Sequence, residues 1–344
     1  MHSLRSLTHS DHDLTALDRG RRLSVAPMMD WTDKHCRYFH RLLSKNTLLY
    51  TEMVTTGALL HGDVARHLDF SEQEYPVALQ LGGSEPADLS NAAKLGENWG
   101  YAEINLNCGC PSERVQRGAF GACLMAEPKL VADCVKAMKD AVSIPVTVKH
   151  RIGIDKIESY EFMRDFVGTL ADAGCNEFII HSRNAWLKGL SPKQNRDVPP
   201  IRYELVYRLK QEFPHLHVSI NGGITTSEQV AEHLQHVDGV MIGRQAYHDP
   251  WWLATWDEAF FAQTKGATFA AITRDTIEDS MVVYMQAQAT KGVHWYAVAR
   301  HMLGLRNGMP GARYWRQVWS NHKLKDLDPA EVSAQARSYF TARD

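Results

Sequence analysis

The sequence predicts a (β/α)8 barrel followed by a small all-helical domain. Eight short, β-rich apolar segments alternate with helical patterns over about 225 residues, and the alternation stops after Trp251. Near-continuous apolarity with β-branched residues is typical of parallel strands that are buried on both faces. Eight alternating units match the closed barrel. Their number, and the absence of a GxGxxG sequence after the first strand, argue against a doubly wound open sheet.

The predicted elements alternate along the chain. The strands are Leu23–Met28, Thr47–Met53, Val77–Gly83, Ala102–Cys108, Val146–Arg151, Glu177–Arg183, Val218–Gly223 and Gly239–Arg244. The helical patterns are Pro86–Trp99, Pro128–Val142, Tyr160–Ala173, Ile201–Glu212 and Ser227–His236. Because the loops after the strands of this fold converge at one mouth, polar residues that end the strands are candidates for chemistry. They are Asn105, Asn107, Lys149, His181, Asn221 and Arg244.

Length and composition allow one large and one small domain. The chain has 344 residues, of which 44% are hydrophobic and 23% are charged, and these values are ordinary for a globular protein. We expect residues 1–20 to be loosely ordered, residues 21–263 to form the barrel and residues 264–344 to form the helical domain. Within that domain Ile277–Thr290 and Tyr296–Leu305 are the clearest helices.

Charge is distributed unevenly between the predicted domains. The net charge of the whole chain is −2, which does not indicate a polyanionic partner. Residues 264–344, however, carry 11 Lys and Arg against 7 Asp and Glu, and residues 291–325 carry seven basic residues and no acidic one. A basic patch confined to one segment indicates a separate surface for an anionic partner.

Cysteine usage and the amino terminus indicate a cytoplasmic protein. The six cysteines show no paired framework, and Cys108 and Cys110 lack the second pair that a zinc site needs. The polar amino terminus lacks the apolar core of a secretory signal. No apolar run approaches the ~20 residues of a membrane span. We therefore expect reduced thiols, no membrane segment, no metal and a monomeric chain.

Two glycine-containing strand ends predict a phosphate site. Asn221-Gly222-Gly223 ends the seventh predicted strand, and Gly243-Arg244 ends the eighth. Glycines allow backbone N–H groups to approach an oxyanion closely, and the loops after these two strands are the usual phosphate site of the barrel. Arg244 adds a bidentate cation. The structural alternative is a pair of tight turns.

Further polar residues end the third, fifth and sixth predicted strands. Lys149 could be a Schiff-base nucleophile, a base, a fixed cation beside an electron-rich ring, or one half of a structural ion pair. His181 could be catalytic or a structurally satisfied histidine. The amide of Gln80 could bind a heterocycle edge or the backbone.

The segment after the fourth predicted strand carries two cysteines. Gly109 and Pro111 break the strand and place Cys110 on a loop over the mouth, where a thiol can give or take a proton. An isolated cysteine is more often inert and buried, but the flanking turn disfavours burial. Side chains alternate across a strand, so if Asn107 faces the mouth, Cys108 faces the helix layer.

Together these segments resemble the tRNA-dihydrouridine synthases. The matching stretches are Ala26–Asp33, Leu49–Met53, Gln80–Gly83, Asn105–Ser112, Lys149, Ile180–His181, Ser219–Gly223 and Gly243–Arg244. Within the family, Ala185–Arg196 and Gly308–Arg313 resemble the A-type, which modifies positions 20 and 20a of the D-loop. The likeness covers nearly the whole chain after residue 21.

The resemblance implies an FMN-dependent enzyme that reduces uridine in tRNA, with NADPH as the electron donor. It implies that Cys110 protonates C5 of uracil while C6 receives hydride from the flavin, and that Asn107 bonds the uracil edge. FMN would be held by Pro27, Met28, Met29, Gln80, Lys149, His181, Asn221, Gly222, Gly223, Gly243 and Arg244. Phosphates of tRNA would be bound by Lys193, Arg196, Lys291, Arg300, Arg313 and Arg316, each of which could instead be a solvated surface charge.

Two residues depart from the family pattern. Cys108 stands where an aliphatic residue is usual, and Arg306 stands near a usual aromatic position. Three alternatives stay open. A small-molecule flavin reductase of the dihydroorotate or dihydropyrimidine type needs no basic helical domain, and a barrel aldolase using Lys149 holds no flavin. A non-catalytic RNA-binding protein binds tRNA without flavin.

Overall fold

The apolar segments form a closed barrel of eight parallel strands. The computed structural model describes residues 11–263, 269 and 271–341. Ser24 pairs in register with Leu48 on one side and with Met241 on the other, and these pairings close the ring. The strands are β1 (Leu23–Val25), β2 (Leu48–Tyr50), β3 (Val54–Thr55), β4 (Val77–Gly82), β5 (Glu103–Cys108), β6 (Val146–Arg151), β7 (Glu177–His181), β8 (His217–Asn221) and β9 (Gly239–Ile242).

All eight predicted strands are confirmed. β6 has the predicted bounds, and the other seven differ by one to three residues at one or both ends. Most predicted strands extend beyond the observed ones at their carboxyl ends. The reason is that the first loop residues after the last strand-to-strand hydrogen bond are mostly buried as well, so the apolar pattern continues into the loop. The two-residue strand β3 was not predicted, and it pairs only with the end of β4.

The five helices predicted between strands are confirmed as α5 and α7 to α10, counted along the chain. Of the two predicted C-terminal helices, Ile277–Thr290 corresponds to α12, whereas Tyr296–Leu305 is helical only in its first turn. The described α-helices are α1 (Asp11–Arg21), α2 (Lys34–Leu43), α3 (Thr56–His61), α4 (Val64–Leu68), α5 (Pro86–Trp99), α6 (Glu113–Arg117), α7 (Pro128–Lys139), α8 (Tyr160–Asp172), α9 (Tyr203–Glu212), α10 (Ser227–His233), α11 (Arg244–His248), α12 (Arg274–Ala289), α13 (Trp295–Ala299), α14 (Ala312–Trp319) and α15 (Pro329–Thr341).

Residues 11–20 belong to a helix, so the expectation of loose order is wrong for them. α1 buries Leu17 in the apolar cluster inside the barrel. Its last residue, Arg21, is buried and pairs with the carboxylate of Glu103 at 2.9 Å. A mostly polar segment is therefore ordered by one apolar side chain and one buried ion pair. Residues 1–10 lie outside the described residues.

The described residues divide into two compact units. Within the described ranges, the first contains residues 11–30 and 47–243, and the second contains residues 31–46 and the described part of 244–341. The second unit thus includes α2 and α11, which lie within the predicted barrel segment 21–263. The physical reason is that the buried face of α2 packs on α12.

Fully buried Glu278, on α12, joins the helices of the second unit. Its Oε1 accepts hydrogen bonds from the indole N–H groups of Trp315 and Trp319, both at 3.1 Å, and from the Ser333 hydroxyl at 2.9 Å. Its Oε2 accepts from Arg306 at 2.7 Å. Arg306 is itself buried, so its departure from the family pattern supplies the cation for a buried carboxylate. No helix in the described ranges is both long and apolar enough to cross a membrane.

Candidate active site at the barrel mouth

Strand register brings the predicted polar residues together at the carboxyl ends of the strands. Asn107 of β5 pairs with Lys149 of β6, and His181 of β7 pairs with Asn221 of β8. Gln80 of β4 reaches the same group, because its Oε1 accepts from Asn107 Nδ2 at 2.9 Å. The structure therefore brings five of the predicted residues to one mouth of the first unit.

Lys149 is a half-buried cation site. Desolvation of the ammonium and, to a smaller extent, the nearby positive charge of Arg151 together lower the pKa of Lys149 to about 7. Across the part of the chain that the structure describes, no carboxylate pairs with its ammonium. An anionic or electron-rich ligand at the mouth would therefore favour the charged form. The expected alternative of a structural ion pair does not apply to the described residues.

The loop after β8 requires glycine at two successive positions. Gly222 has φ of 118° and Gly223 has φ of 71°, a backbone region that other residues rarely adopt. A Cβ on Gly222 would lie 2.6 Å from His181 Cδ2, and one on Gly223 would lie 2.4 Å from Ile201 Cδ1. The loop is therefore a positive-φ turn in which His181 and Ile201 leave no room for a side chain at either glycine. Gly243 differs, since an added Cβ there would meet only Ala26 at 3.9 Å.

A hydroxyl beside this loop lacks a partner. Ser182 Oγ is buried and, among the described residues, makes no hydrogen bond. The backbone N–H of Ser182 lies 3.6 Å from where a Cβ of Gly222 would stand, so the hydroxyl belongs to a residue next to the positive-φ turn. Buried polar atoms are normally paired, and an orphan is a sign of a missing ligand or water. The sequence pattern did not single out Ser182.

His181, behind the same turn, is held as a neutral ring. Burial lowers its pKa well below the usual value, and the positive charges of Arg151 and Lys149 lower it further. A neutral imidazole keeps one donor and one acceptor nitrogen. His181 is therefore suited to hydrogen bonding with a neutral or anionic ligand.

The Cys110 loop, residues 109–112, is fixed by backbone hydrogen bonds. Asn107 Oδ1 accepts from the N–H groups of Gly109 and Cys110, both at 3.0 Å. The carbonyl of Cys110 accepts from Ala122 N at 2.9 Å. The Cys110 side chain is partly exposed at the mouth.

The structure separates the two neighbouring thiols. Cys108 is fully buried on the opposite face of β5 from Asn107, and its thiol interacts with that of Cys134 on α7. Burial raises the pKa of Cys108 well above its usual value. Cys108 thus faces the helix layer, as strand alternation predicted, and its position suits a small apolar residue.

Arg151 is a site residue that the sequence reasoning missed. It ends β6, is buried, and donates to the carbonyl of Gly109 at 3.1 Å and to the carbonyls of Asn184 and Asn195 at 3.1 and 2.8 Å. One guanidinium therefore joins the Cys110 loop to the loop of residues 184–196. The signal was available, because Arg151 lies two residues after Lys149 on the same strand face.

The 184–196 loop has a buried internal frame. Fully buried Asn195 accepts from Trp186 N at 2.7 Å and donates to the Trp186 carbonyl at 2.9 Å. On the same loop Lys193 and Arg196 are exposed. The loop is thus an ordered segment that presents two cations to solvent.

The basic residues of the second unit are not equivalent. Lys291 and Arg313 are exposed, and Arg316 is half-buried with a hydrogen bond to Asn307 Oδ1 at 2.6 Å. Arg300 is 43% exposed, but it pairs with Asp33 at 2.6 Å. Its charge is therefore partly neutralised, which the sequence pattern did not show.

Three predicted cofactor residues follow β1, and one begins α11. Met29 is 56% exposed, whereas Pro27 and Met28 are half-buried. The structure assigns no ligand role to them. Arg244 is the first residue of α11 and follows Gly243 directly. The roles of these four residues stay predictions.

Fold and mouth together define a (β/α)8-barrel protein whose chemistry lies at the carboxyl ends of its strands. A family model described as Dihydrouridine synthase (Dus) matches residues 24–339, and the chain belongs to this family. Three curated relatives are each named tRNA-dihydrouridine(20/20a) synthase. The one from Vibrio parahaemolyticus is 56% identical over 92% of this chain and 95% of its own. The Pseudomonas syringae protein is 57% identical over 93% and 94%, and the Escherichia coli K12 protein is 58% identical over 88% and 87%.

Solved structures support the fold. A 2-naphthoyl-CoA reductase in complex with 2-naphthoyl-CoA has a TM-score of 0.53 and 11% identity, covering 69% of this chain and 50% of its own. An old yellow enzyme homologue from Zymomonas mobilis has a TM-score of 0.50 and 11% identity, covering 73% and 91%. At this identity the likeness is one of fold, and it agrees with the closed parallel barrel.

Proposed function

We propose that this protein reduces uridine to dihydrouridine at positions 20 and 20a of the tRNA D-loop, with FMN as cofactor and NADPH as electron donor. Membership of the dihydrouridine synthase family supports the reaction, and the names of three relatives support the positions. One observation carries the proposal. A partly exposed thiol, a half-buried lysine and a positive-φ glycine turn lie on strands or loops of one barrel mouth. The proposal includes a monomeric, cytoplasmic protein without a metal.

The residues at the mouth fit FMN. The positive-φ turn at Gly222 and Gly223 and the orphaned Ser182 hydroxyl suit a phosphate, which needs several N–H or O–H donors. Lys149 suits the electron-rich end of the flavin, because its desolvated ammonium lacks a carboxylate among the described residues. His181 and Asn221 would complete the site, and Arg244 is proposed for the phosphate from the resemblance.

The chain itself would bind, orient and protonate. When bound, reduced FMN supplies the hydride for C6 of uracil. Cys110 would hold the proton for C5, and its loop is fixed by Asn107 and Arg151. A positioned general acid typically contributes ~10²–10⁴-fold to the rate. The Asn107 carbonyl accepts from the loop and one of its amide N–H groups donates to Gln80, so the second N–H is what it could offer to a base.

The tRNA would be held through its phosphates by exposed cations. In the first unit these are Lys193 and Arg196, on the ordered 184–196 loop. In the second unit they are Lys291 and Arg313, with a smaller contribution from Arg300 because Asp33 pairs with it. Phosphate contacts give affinity that falls with salt.

Two half-reactions test the proposal. The purified protein should show a flavin absorbance spectrum that NADPH bleaches anaerobically. Unmodified tRNA should restore the oxidised spectrum, while a transcript with cytidine at positions 20 and 20a should not. Restoration by free uridine, dihydroorotate precursors or pyrimidine bases at the same rate would favour a small-molecule flavin reductase instead. A protein without flavin that still binds tRNA would overturn the proposed chemistry.

A further inference from the structure

A continuous chain of hydrogen bonds crosses the barrel interior and ends at the Cys110 loop. It begins at Glu103, which is fully buried and accepts from Arg21 at 2.9 Å, from the Tyr50 hydroxyl at 2.9 Å and from the Thr147 hydroxyl at 2.6 Å. None of these residues lies at the mouth where the cofactor is proposed to bind. The carboxylate is therefore anchored inside the barrel by three donors from separate elements.

Three amides carry the chain from Thr147 to the mouth. Asn105 Nδ2 donates to Thr147 Oγ1 at 2.8 Å, and Gln80 Nε2 donates to Asn105 Oδ1 at 2.8 Å. Asn107 Nδ2 donates to Gln80 Oε1 at 2.9 Å. Asn107 Oδ1 then accepts from the backbone N–H groups of Gly109 and Cys110. All four side chains of this chain are buried.

The two ends fix the direction of every bond between them. An ionised carboxylate can only accept, so Thr147 must give its one proton to Glu103 and can only accept from Asn105. At the other end, backbone N–H groups can only donate, so Asn107 must present its carbonyl to them. Each intervening amide has a carbonyl at one side and an NH₂ at the other. Both ends therefore require the same orientation of all three amides.

We propose that Glu103 and Thr147 are positioning residues for the Cys110 loop, acting through the orientation of Asn105, Gln80 and Asn107. An Asn107 amide turned by 180° would place NH₂ against two backbone donors. The polarity of Glu103 disfavours that state from the far end of the chain, and so strengthens the hold of Asn107 on the loop that carries the thiol. The kinetic consequence rests on the proposed function of Cys110, whereas the effect on the loop does not.

Thr147 offers a matched set of variants. Thr147→Val removes the hydroxyl at nearly constant shape, which leaves Asn105 without its acceptor and frees the amides to turn. Thr147→Ser keeps the hydroxyl, and Thr147→Ala makes the same interruption with a smaller side chain if the valine variant does not fold. Val148→Ala is the control for general loosening, because Val148 is buried on the opposite face of the same strand.

The first measurement is amide hydrogen exchange of the flavin-loaded protein, read on peptides covering residues 107–112. We expect at least ~10-fold faster exchange in Thr147→Val than in Thr147→Ser or Val148→Ala. Peptides from β7 and β8 should not change. Equal exchange in the valine and serine variants, or faster exchange in all peptides alike, would overturn the proposal.

The second measurement is single-turnover reoxidation of the reduced protein by saturating unmodified tRNA. We expect Thr147→Val to be slowed by ~10-fold or more and Thr147→Ser to stay within about threefold of the parent. A parent-like rate in Thr147→Val would contradict positioning. If Cys110→Ala also reoxidised at the parent rate, the assignment of the acid would fail, while the exchange result would still decide the role of Thr147.

Discussion

Two buried glutamates organise the two units of this molecule, and they do so differently. Glu103 in the barrel and Glu278 in the second unit are both fully buried, and each pairs with arginine and accepts further hydrogen bonds. The donors around Glu278 are arginine, tryptophan and serine side chains, and they connect Glu278 to the helices around it. At Glu103 the donor Thr147 also accepts a hydrogen bond from Asn105, so the chain of hydrogen bonds continues beyond the carboxylate and its donor.

The difference shows that a buried carboxylate can have two uses. At Glu278 the carboxylate cross-links helices, and we expect it to affect only the stability of the folded protein. At Glu103 it sets the direction of a row of amides, and its effect reaches a loop at the mouth. Burial and number of partners do not distinguish the two cases. What distinguishes them is that Thr147, a donor to Glu103, also accepts a hydrogen bond from the side chain of Asn105.

The largest effect is expected at the mouth end of the Glu103 chain. Cys110→Ala should leave reduction by NADPH intact and slow reoxidation by tRNA by ~10²–10⁴-fold, the usual loss for a general acid. Cys108→Val should be nearly silent, because Cys108 is buried against the helix layer. Anaerobic stopped-flow absorbance measures both. A slow Cys108→Val and a normal Cys110→Ala would mean that the acid is misassigned.

The next largest effect should be on stability alone. Glu278→Gln removes the buried carboxylate that pairs with both Arg306 and Arg337, while Asp275 remains as a partner of Arg306. We therefore expect a loss of up to about 3–5 kcal/mol, the cost of breaking a buried pair. Asp279→Asn is the control, because Asp279 is exposed and its pair with Arg337 should contribute at most about 1 kcal/mol. Urea unfolding compares the two. Equal losses of unfolding free energy in the two variants would contradict a structural role for Glu278. A Glu278→Gln variant that is stable but slow in reoxidation would mean that Glu278, like Glu103, acts on the reaction.

A smaller effect should appear in the pH dependence of FMN binding. The pKa of Lys149 is lowered to about 7 by burial, and an electron-rich ligand should raise it. Above that pH the apoprotein must take up a proton to bind, so affinity should fall as pH rises from about 7 to about 9, by at most ~10-fold per unit. FMN titrations of the apoprotein measure this. Lys149→Met should flatten the profile, and an unchanged profile would place the cation elsewhere.

The smallest effects should come from removing single surface charges of the second unit, measured as changes in the salt dependence of tRNA binding. Arg313→Gln should reduce the salt slope of tRNA binding by about 1, as expected for one phosphate contact. Arg300→Gln should reduce it less, since Asp33 already neutralises part of its charge. Lys136→Gln, at an exposed lysine paired with Asp140 on the first unit, is the control. Binding measured at several salt concentrations that ranks Arg300 above Arg313 would contradict the structure.

Much of the barrel could be predicted because most strands are short, largely apolar runs, which can be recognised in the sequence without knowing what each strand pairs with. The alternation of side chains along a strand also predicted, from the sequence alone, that Cys108 faces the helix layer while Cys110 lies on the loop at the mouth. The amide chain could not be predicted in this way. Asn105, Gln80 and Thr147 meet only when three strands adopt one register, and register is a property of the closed sheet.

Other features could not be predicted because each depends on a few long-range contacts, which leave no periodic pattern in the sequence. α1 is ordered by Leu17 and Arg21, in a segment whose composition suggested loose order. The grouping of residues 31–46 with the second unit depends on the packing of α2 against α12, which is a long-range contact. The sequence left the role of Arg306 open, as a departure from a usual aromatic position, and only its burial and its distance to Glu278 show that it is structural.

Arg151 has a consequence for how the mouth could change during evolution. It holds the Cys110 loop and the 184–196 loop through three backbone carbonyls. Carbonyls are present whatever side chains the loops carry, so exposed residues of the 184–196 loop, such as Lys193, can change without removing these three hydrogen bonds. Under the proposed function, the cations that meet RNA could therefore be replaced while the Cys110 loop stays in place, provided that Arg151 and the buried Asn195 are kept.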